Sequence, residues 1–229
     1  VALAGSVTVP GYDRKRLAPA IVHIGVGGFH RAHQAVYRDD LADRGLTRDW
    51  GVVGVSVRSP RMREALAPQD WLYTVAERDE MGERARVVGI LDRVLFAPED
   101  PSSVLSALAA PSTRIVSLTI TGGAYEARAA GSRSDVFGLI AEGLSRRRRS
   151  GLPPFTVVSC DNVPGNGRVA RDAVLRAAAA RDGGLMRWIS ANASFPSSVG
   201  DRITPKTSPQ TRDQLRDEFG IDDRWPVGA

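Results

Sequence analysis

The sequence predicts an α/β protein: a mostly parallel sheet with helices on both faces. Three observations carry this. Short, β-branched apolar runs recur along the chain, as in strands buried on both faces. Helix-patterned segments alternate with them, the signature of β-α-β units. Glycine-rich loops follow three of the runs. With 229 residues, 42% hydrophobic and 25% charged, the chain is long enough for one large domain with a substantial core.

Residues 20–26 (AIVHIGV) form the first expected strand, running straight into glycines. Residues 30–44 contain no Pro or Gly and repeat Ala32, Ala35, Val36 and Leu41 at roughly helical spacing. Residues 51–57 read as a second buried strand and 61–67 as a short helix ending near Pro68. Residues 72–76 and 87–90 read as strands separated by polar turn residues. A helix is expected over 101–109, with Asp100 as its cap and Pro101 in its first position. A strand over 115–120, a helix over 135–149, a strand over 155–159 and an alanine-rich helix over 168–181 complete the series.

Composition narrows the function classes. The single cysteine, Cys160, excludes an intrachain disulfide and fits a reducing compartment. Residues 1–10 lack a charged start followed by an apolar run, so no signal peptide is expected. No stretch approaches the roughly 20 apolar residues of a membrane helix, so the expected location is cytoplasmic, with no membrane partner. The net charge is +5, and 29 of the 31 basic residues are arginine. Such a balance suits anionic small ligands or nucleic acid. Nucleic acid is not expected as a partner, because the motifs account for the chain without it. The run Arg146–Arg149 ends a helix, where cations suit the dipole.

The motif Gly25-x-Gly27-x-x-His30 closes a strand and opens a helix. Gly25 permits a tight turn, Gly27 lets backbone approach a pyrophosphate, and the helix start offers free N–H groups. His30 replaces the third glycine of the usual dinucleotide fingerprint, so the loop reads equally as a nucleotide cradle or a structural turn. No carboxylate follows the second strand to hold the ribose hydroxyls of NAD. Arg58 or Arg61, with Ser59, would instead accept a 2′-phosphate, unless both are solvated helix-start residues. In Ser159-Cys160-Asp161-Asn162, an asparagine at a strand end can donate to a developing oxyanion, with Asp161 to orient it; the alternative is an Asx-rich helix cap. Asp201 and Arg202 would grip a polyhydroxylated ligand or pair with each other. His30 and His33 have helical spacing but no third ligand, so packing or ligand contact is expected and metal is not.

Taken in order, these segments resemble the mannitol dehydrogenase family, which includes mannitol 2-dehydrogenases and fructuronate and tagaturonate reductases. The matching residues are 21–34 (IVHIGVGGFHRAHQ), 67–70 with 72–74, 115–121, 159–162, 201–205 (DRITP), 220–223 and 225–227. The resemblance implies a Rossmann-type doubly wound domain over residues 1–229, with the link to a helical second domain near 205–229. It implies hydride transfer between NAD or NADP and a secondary alcohol of a sugar alcohol or sugar acid, of the mannitol/fructose or mannonate/fructuronate type, without a metal. The expected cofactor residues are Gly25, Gly27, Gly28, Phe29, His30, Arg31, Arg58, Thr121 and Gly122. Asn162 would polarise the reacting oxygen, and Asp201 and Asn166 would contact substrate.

The chain departs from the family pattern in four places. The loop Thr121-Gly122-Gly123-Ala124-Tyr125 lacks the usual acid. Residues 126–134 look shortened, and the loop after the second strand lacks the acids of NAD-preferring members. The family's base, a lysine followed by Leu-Asn-Gly-x-His in the second domain, has no counterpart: the lysines are Lys15 and Lys206, and no histidine follows His33. The chain is therefore expected to be the cofactor-binding part, inactive by itself because the lysine domain lies outside it. The alternative is a non-catalytic nucleotide-binding module or degenerate paralogue.

Overall fold

The computed structural model describes residues 7–79, 82–125, 135–205 and 207–229. The expected shortening over residues 126–134 and Lys206 lie outside the described residues, as do residues 1–6 of the N-terminal stretch.

Five parallel strands make the main sheet: β2 (Pro19–Ile24), β3 (Gly51–Ser56), β6 (Leu91–Phe96), β7 (Ile115–Leu118) and β8 (Thr156–Ser159), in the order β6-β3-β2-β7-β8. The chain builds outward from β2 to β3 and β6, then returns to β7 on the other side. The order therefore reverses between β2 and β7, and the crevice beyond their carboxyl ends is the place where open α/β sheets bind ligands. Intervening helices are α1 (Ala35–Asp43), α2 (Arg61–Leu66), α3 (Pro101–Ala109), α4 (Val136–Arg149), α5 (Asn166–Ala179), α6 (Gly183–Asn192) and α7 (Pro209–Phe219). This is the predicted Rossmann-type class.

One face of the sheet, with Val22, Ile24, Val55 and Leu118, packs against α3 to α6 through Leu108, Ile140, Leu144, Val174 and Ile189. Each such fully buried aliphatic side chain stabilises the fold by about 1.5–3 kcal/mol. The other face is covered by α1 and by a small second sheet of four strands, in the order β1 (Val7–Thr8), β5 (Gly82–Val88), β4 (Tyr73–Asp79) and β9 (Val227–Gly228). That sheet revises the expected alternation. The expected strands at 72–76 and 87–90 are β4 (Tyr73–Asp79) and β5 (Gly82–Val88), paired antiparallel, Val75 opposite Arg86. Two residues connect them, too few for the crossover that parallel neighbours require. β1 (Val7–Thr8) flanks β5 and β9 (Val227–Gly228) flanks β4. Asp39 ties this layer to α1: it accepts from the Tyr12 hydroxyl at 2.5 Å and the Gly89 amide at 2.9 Å, and pairs with Arg86 at 2.9 Å.

Most predicted boundaries shift by a residue or two. Asp100 caps α3 by accepting from Ser103 N at 3.0 Å, as expected. Besides the two-residue strands β1 and β9 and the single-turn helices, three elements were not foreseen. β6 is an edge strand with exposed Asp92 and Arg93 at its centre, which breaks the apolar run. α6 opens on two glycines, stabilised by Asp182 accepting from Gly184 N and Leu185 N. α7 buries only Leu215 and Phe219, too narrow a stripe to read as helical periodicity.

Candidate functional site

The crevice at the β2/β7 reversal is a cavity of about 630 Å³. Gly25, Val26 and Gly27 form one wall, Thr119 to Thr121 another, and residues 56–59 with Arg61 and Met62 a third; Trp225 closes it.

The glycine loop is shaped by short contacts. Gly25 has φ +102°, and a Cβ there would sit 2.2 Å from the Thr119 carbonyl oxygen. Both facts require glycine. Gly27 differs: a Cβ would meet nothing closer than Gly25 O at 3.8 Å, so packing does not demand its small size. Its bare backbone faces open space, as a cradle for a ligand's phosphates requires. Val26 is seated because Gly54 beneath it lacks a side chain; a Cβ there would lie 2.7 Å from Val26 Cγ2.

Beneath the loop lies a histidine pair. His23 Nε2 is 3.0 Å from both Gly25 O and Thr119 Oγ1, and its Nδ1 is 2.8 Å from Ser117 Oγ. Thr119 Oγ1 in turn donates to Gly25 O at 2.6 Å. His30 stacks on His23 with ring centroids 3.5 Å apart, and its Nδ1 meets Gln34 Oε1 at 3.0 Å. Burial, with His30 alongside, pushes His23 well below the usual imidazole range, and burial lowers His30 to about 4. Both rings are neutral at pH 7 and serve as packing. His30 opens a π-helical turn, His30–Gln34, before α1. His33 meets Thr204 Oγ1 at 3.1 Å. Among the described residues no three His, Cys, Asp or Glu side chains converge as a metal set.

The opposite wall hangs on Asp161, which is 8% exposed. Its carboxylate accepts from Thr121 N at 2.7 Å, Ile120 N at 3.2 Å and the Tyr125 hydroxyl at 2.7 Å. Thr121 is held at φ 72°, a left-handed conformation costly for a β-branched residue. Arg58 reaches across the cavity mouth: Nη2 donates to Ile120 O at 3.0 Å and Thr121 Oγ1 at 2.8 Å.

The expected cofactor residues divide. Gly25, Gly27, Arg58 and Thr121 line the cavity, and Gly122 begins the turn after it. Gly28, Phe29 and Arg31 line a second cavity instead, of about 820 Å³, against α7. Arg31 is 3% exposed and donates to Trp225 O at 2.6 Å, fastening the segment before β9 to the glycine helix. His30 is buried and lines neither cavity among the described residues.

Asn162 is exposed at the end of β8 and makes no side-chain hydrogen bond among the described residues. Asn166 is buried: its amide donates to Asp161 O at 3.1 Å and Ser198 O at 2.9 Å, and accepts from Ser198 N at 3.1 Å. Its hydrogen bonds hold the 195–200 loop, the geometry of a positioning residue. Gly167 lets that loop lie close; a Cβ would be 2.6 Å from Phe195 O. Asp201 is exposed and unpaired among the described residues, while Arg202 lies 5.6 Å over the Tyr37 ring, so no ion pair joins the two. Cys160 is half-buried, its thiol pushed up by burial. Asp161, assigned by sequence to orienting Asn162, instead anchors the Thr121 loop. Tyr125 and Trp225 were noticed only as members of matching segments and given no role, because the bonds that place them, to Ser159 and Asp161 and from Arg31, join residues 34 or more positions away.

A family model for the mannitol dehydrogenase Rossmann domain matches residues 19–222. The mannitol 2-dehydrogenase of Cereibacter sphaeroides is 47% identical over 97% of this chain, which covers 50% of that protein. That of Phaeosphaeria nodorum is 42% identical, with 97% of this chain and 43% of the relative covered. Among solved structures, Pseudomonas fluorescens mannitol 2-dehydrogenase in ternary complex with NAD and D-mannitol superposes with a TM-score of 0.91 at 44% identity, covering 99% of this chain and 50% of the other. A substrate-free D-sorbitol dehydrogenase gives 0.90 at 40% identity, covering 99% and 51%. The chain spans about half the length of the curated relatives it matches. No helix among the described residues is long and apolar enough to cross a membrane.

Proposed function

The chain belongs to the mannitol dehydrogenase family, and from that premise we propose that it is the cofactor-holding part of an NAD(P)-dependent oxidoreductase. The reaction interconverts a secondary alcohol of a sugar alcohol or sugar acid with its ketone. The observation that carries this reading is the 630 Å³ cavity at the β2/β7 reversal, walled by glycine backbone on one side and by strand ends on the others.

The residues fit a dinucleotide. Gly27 leaves open the space a side chain would fill, and the loop it belongs to runs straight into a helix start, the setting in which backbone N–H groups receive phosphates. The neutral His23 and His30 support this loop without adding a charge to it. When bound, the nicotinamide accepts or delivers a hydride. Asn162, unspent and exposed at the end of β8, donates to the reacting oxygen as its charge develops, a role worth about 2.7–4 kcal/mol where such donors have been removed. Asp201 accepts from substrate hydroxyls, on a loop whose place Asn166 fixes. Lys15 precedes the N-terminal end of β2, the edge opposite the cavity, so no described lysine serves as base. Without a positioned base, turnover falls by about 10²–10⁴.

The test is titration of the purified chain with NADH, followed by nucleotide fluorescence. Saturable binding below millimolar concentration supports the reading. A folded chain that binds neither NADH nor NADPH at millimolar concentration refutes it, and mannitol oxidation by this chain at ordinary enzymatic rates would refute the assignment of the base elsewhere.

A further inference from the structure

We propose that the cavity selects the 2′-phosphorylated cofactor, NADP(H), over NAD(H), and that Arg58 and Arg61 recognise the extra phosphate. This rests on the dinucleotide reading of the cavity and adds to it which dinucleotide binds.

In a sheet of this order, the strand beside the glycine strand ends at the adenosine ribose. That strand is β3, which ends at Ser56 and runs through Val57, Arg58, Ser59 and Pro60 into Arg61. NAD is held there by a carboxylate that accepts from both ribose hydroxyls. Among the described residues no Asp or Glu lines this cavity, and the charged residues that do are two arginines.

Among the described residues nothing neutralises either arginine. Arg58 spends Nη2 on a carbonyl and a hydroxyl, Ile120 O and Thr121 Oγ1, and forms no ion pair among the described residues. Its Nε and Nη1 retain their donors. The Nη2 contacts carry the guanidinium from the β3 end across the cavity mouth to the β7 end. Arg61, exposed at the start of α2, has no side-chain partner among the described residues; its neighbour Arg63 takes Glu99 at 2.7 Å. Ser59 Oγ accepts from Arg61 N at 3.3 Å, holding the turn that brings both arginines to one side. A bare ribose finds no anionic acceptor here. A 2′-phosphate, near −2 at neutral pH, finds two uncompensated cations with fork geometry suited to its oxygens.

The test compares dissociation constants of the chain for NADPH and NADH, and for adenosine 2′,5′-bisphosphate and 5′-AMP, fragments that fill only the adenosine half. At about 0.1 M salt the 2′-phosphorylated ligand of each pair should bind about 10-fold tighter or more. The R58A/R61A double variant should lower the preference for NADPH over NADH by about 10-fold or more, since loss of the Arg58 contacts with the Thr121 wall weakens both ligands alike and cancels in the ratio. Arg61→Ala alone, at an exposed side chain without partners, gives the same direction if Arg58→Ala disturbs folding. NADH binding as tightly as NADPH, or variants that weaken both alike, would overturn the inference. Failure of every nucleotide to bind would instead remove the dinucleotide reading beneath it.

Discussion

Replacing Asp161 with Ala tests whether one buried carboxylate shapes the cavity wall. The native carboxylate accepts from Ile120 N, Thr121 N and the Tyr125 hydroxyl. Without it, Thr121 N, beside an exposed side chain, regains a water. The Tyr125 hydroxyl keeps Ser159 Oγ at 2.6 Å. Ile120 N–H, in a residue 4% exposed, is left stranded. One stranded donor plus two lost charge-assisted bonds destabilise by about 3 kcal/mol. For a chain of this size that lowers Tm by about 6–12 °C. Thr121, at φ 72°, then loses the acceptor of its N–H and keeps only the Arg58 contact with its hydroxyl and the Ala124 N–H on its carbonyl, so the wall relaxes and NADPH affinity falls by about 10-fold, or about 1.4 kcal/mol. Differential scanning fluorimetry with a parallel nucleotide titration reads both effects. Tyr125→Phe, which removes one bond to the same carboxylate, should give about half the loss. If Asp161→Ala moves Tm by less than about 2 °C and leaves affinity intact, the carboxylate does not organise the wall and the reasoning fails.

Three further outcomes follow from the same geometry. Gly25→Ala, forced against Thr119 O at a positive φ, should cost about 3 kcal/mol or more in urea unfolding; retention of wild-type stability would mean the loop is not the rigid turn described. The two asparagines should separate: Asn162→Ala stays within about 0.5 kcal/mol of wild type, whereas Asn166→Ala costs about 2–4 kcal/mol by stranding the 195–200 loop, as denaturant midpoints will show. Because burial holds the folded pKa of His30 near 4, below the unfolded value near 6.5, the unfolded chain binds protons first. Stability is thus complete above about pH 6.5 and is lost as pH falls toward 4, by up to about 1.4 kcal/mol per pH unit for this group. His30→Gln should flatten that slope, and an unchanged slope across pH 7 to 5 would contradict the buried neutral ring.

Some of this was legible because it is local. The strand at β2 and the glycine turn after it follow from a run that is apolar apart from His23, then abruptly permissive. Asp100 with Pro101 announces a helix start through contacts only three residues apart. β6 escaped notice because an edge strand tolerates Asp92 and Arg93 facing solvent, and α6 because its start depends on an Asp cap rather than on propensity. The site divides in the same way. Gly25 and Gly27 were legible from spacing and Arg58 from its place after the second strand. Asp161 was noticed but given the wrong neighbour, since its partners lie 36 to 41 positions back in the chain.

The sequence by itself determined the α/β class, the glycine loop and the family, because periodicity, turn chemistry and ordered motifs are properties of neighbouring residues. Only the tertiary structure decided that β4 and β5 leave the main sheet for one of their own, and that Gly28, Phe29 and Arg31 face a different cavity from Gly25 and Gly27. It alone decided that Asn166 is spent inside while Asn162 is exposed and makes no side-chain bond among the described residues. The physical reason is common to all three. A polar group's role depends on which donors and acceptors reach it, and those partners come from strand order and loop packing, which bring together residues that no local pattern connects.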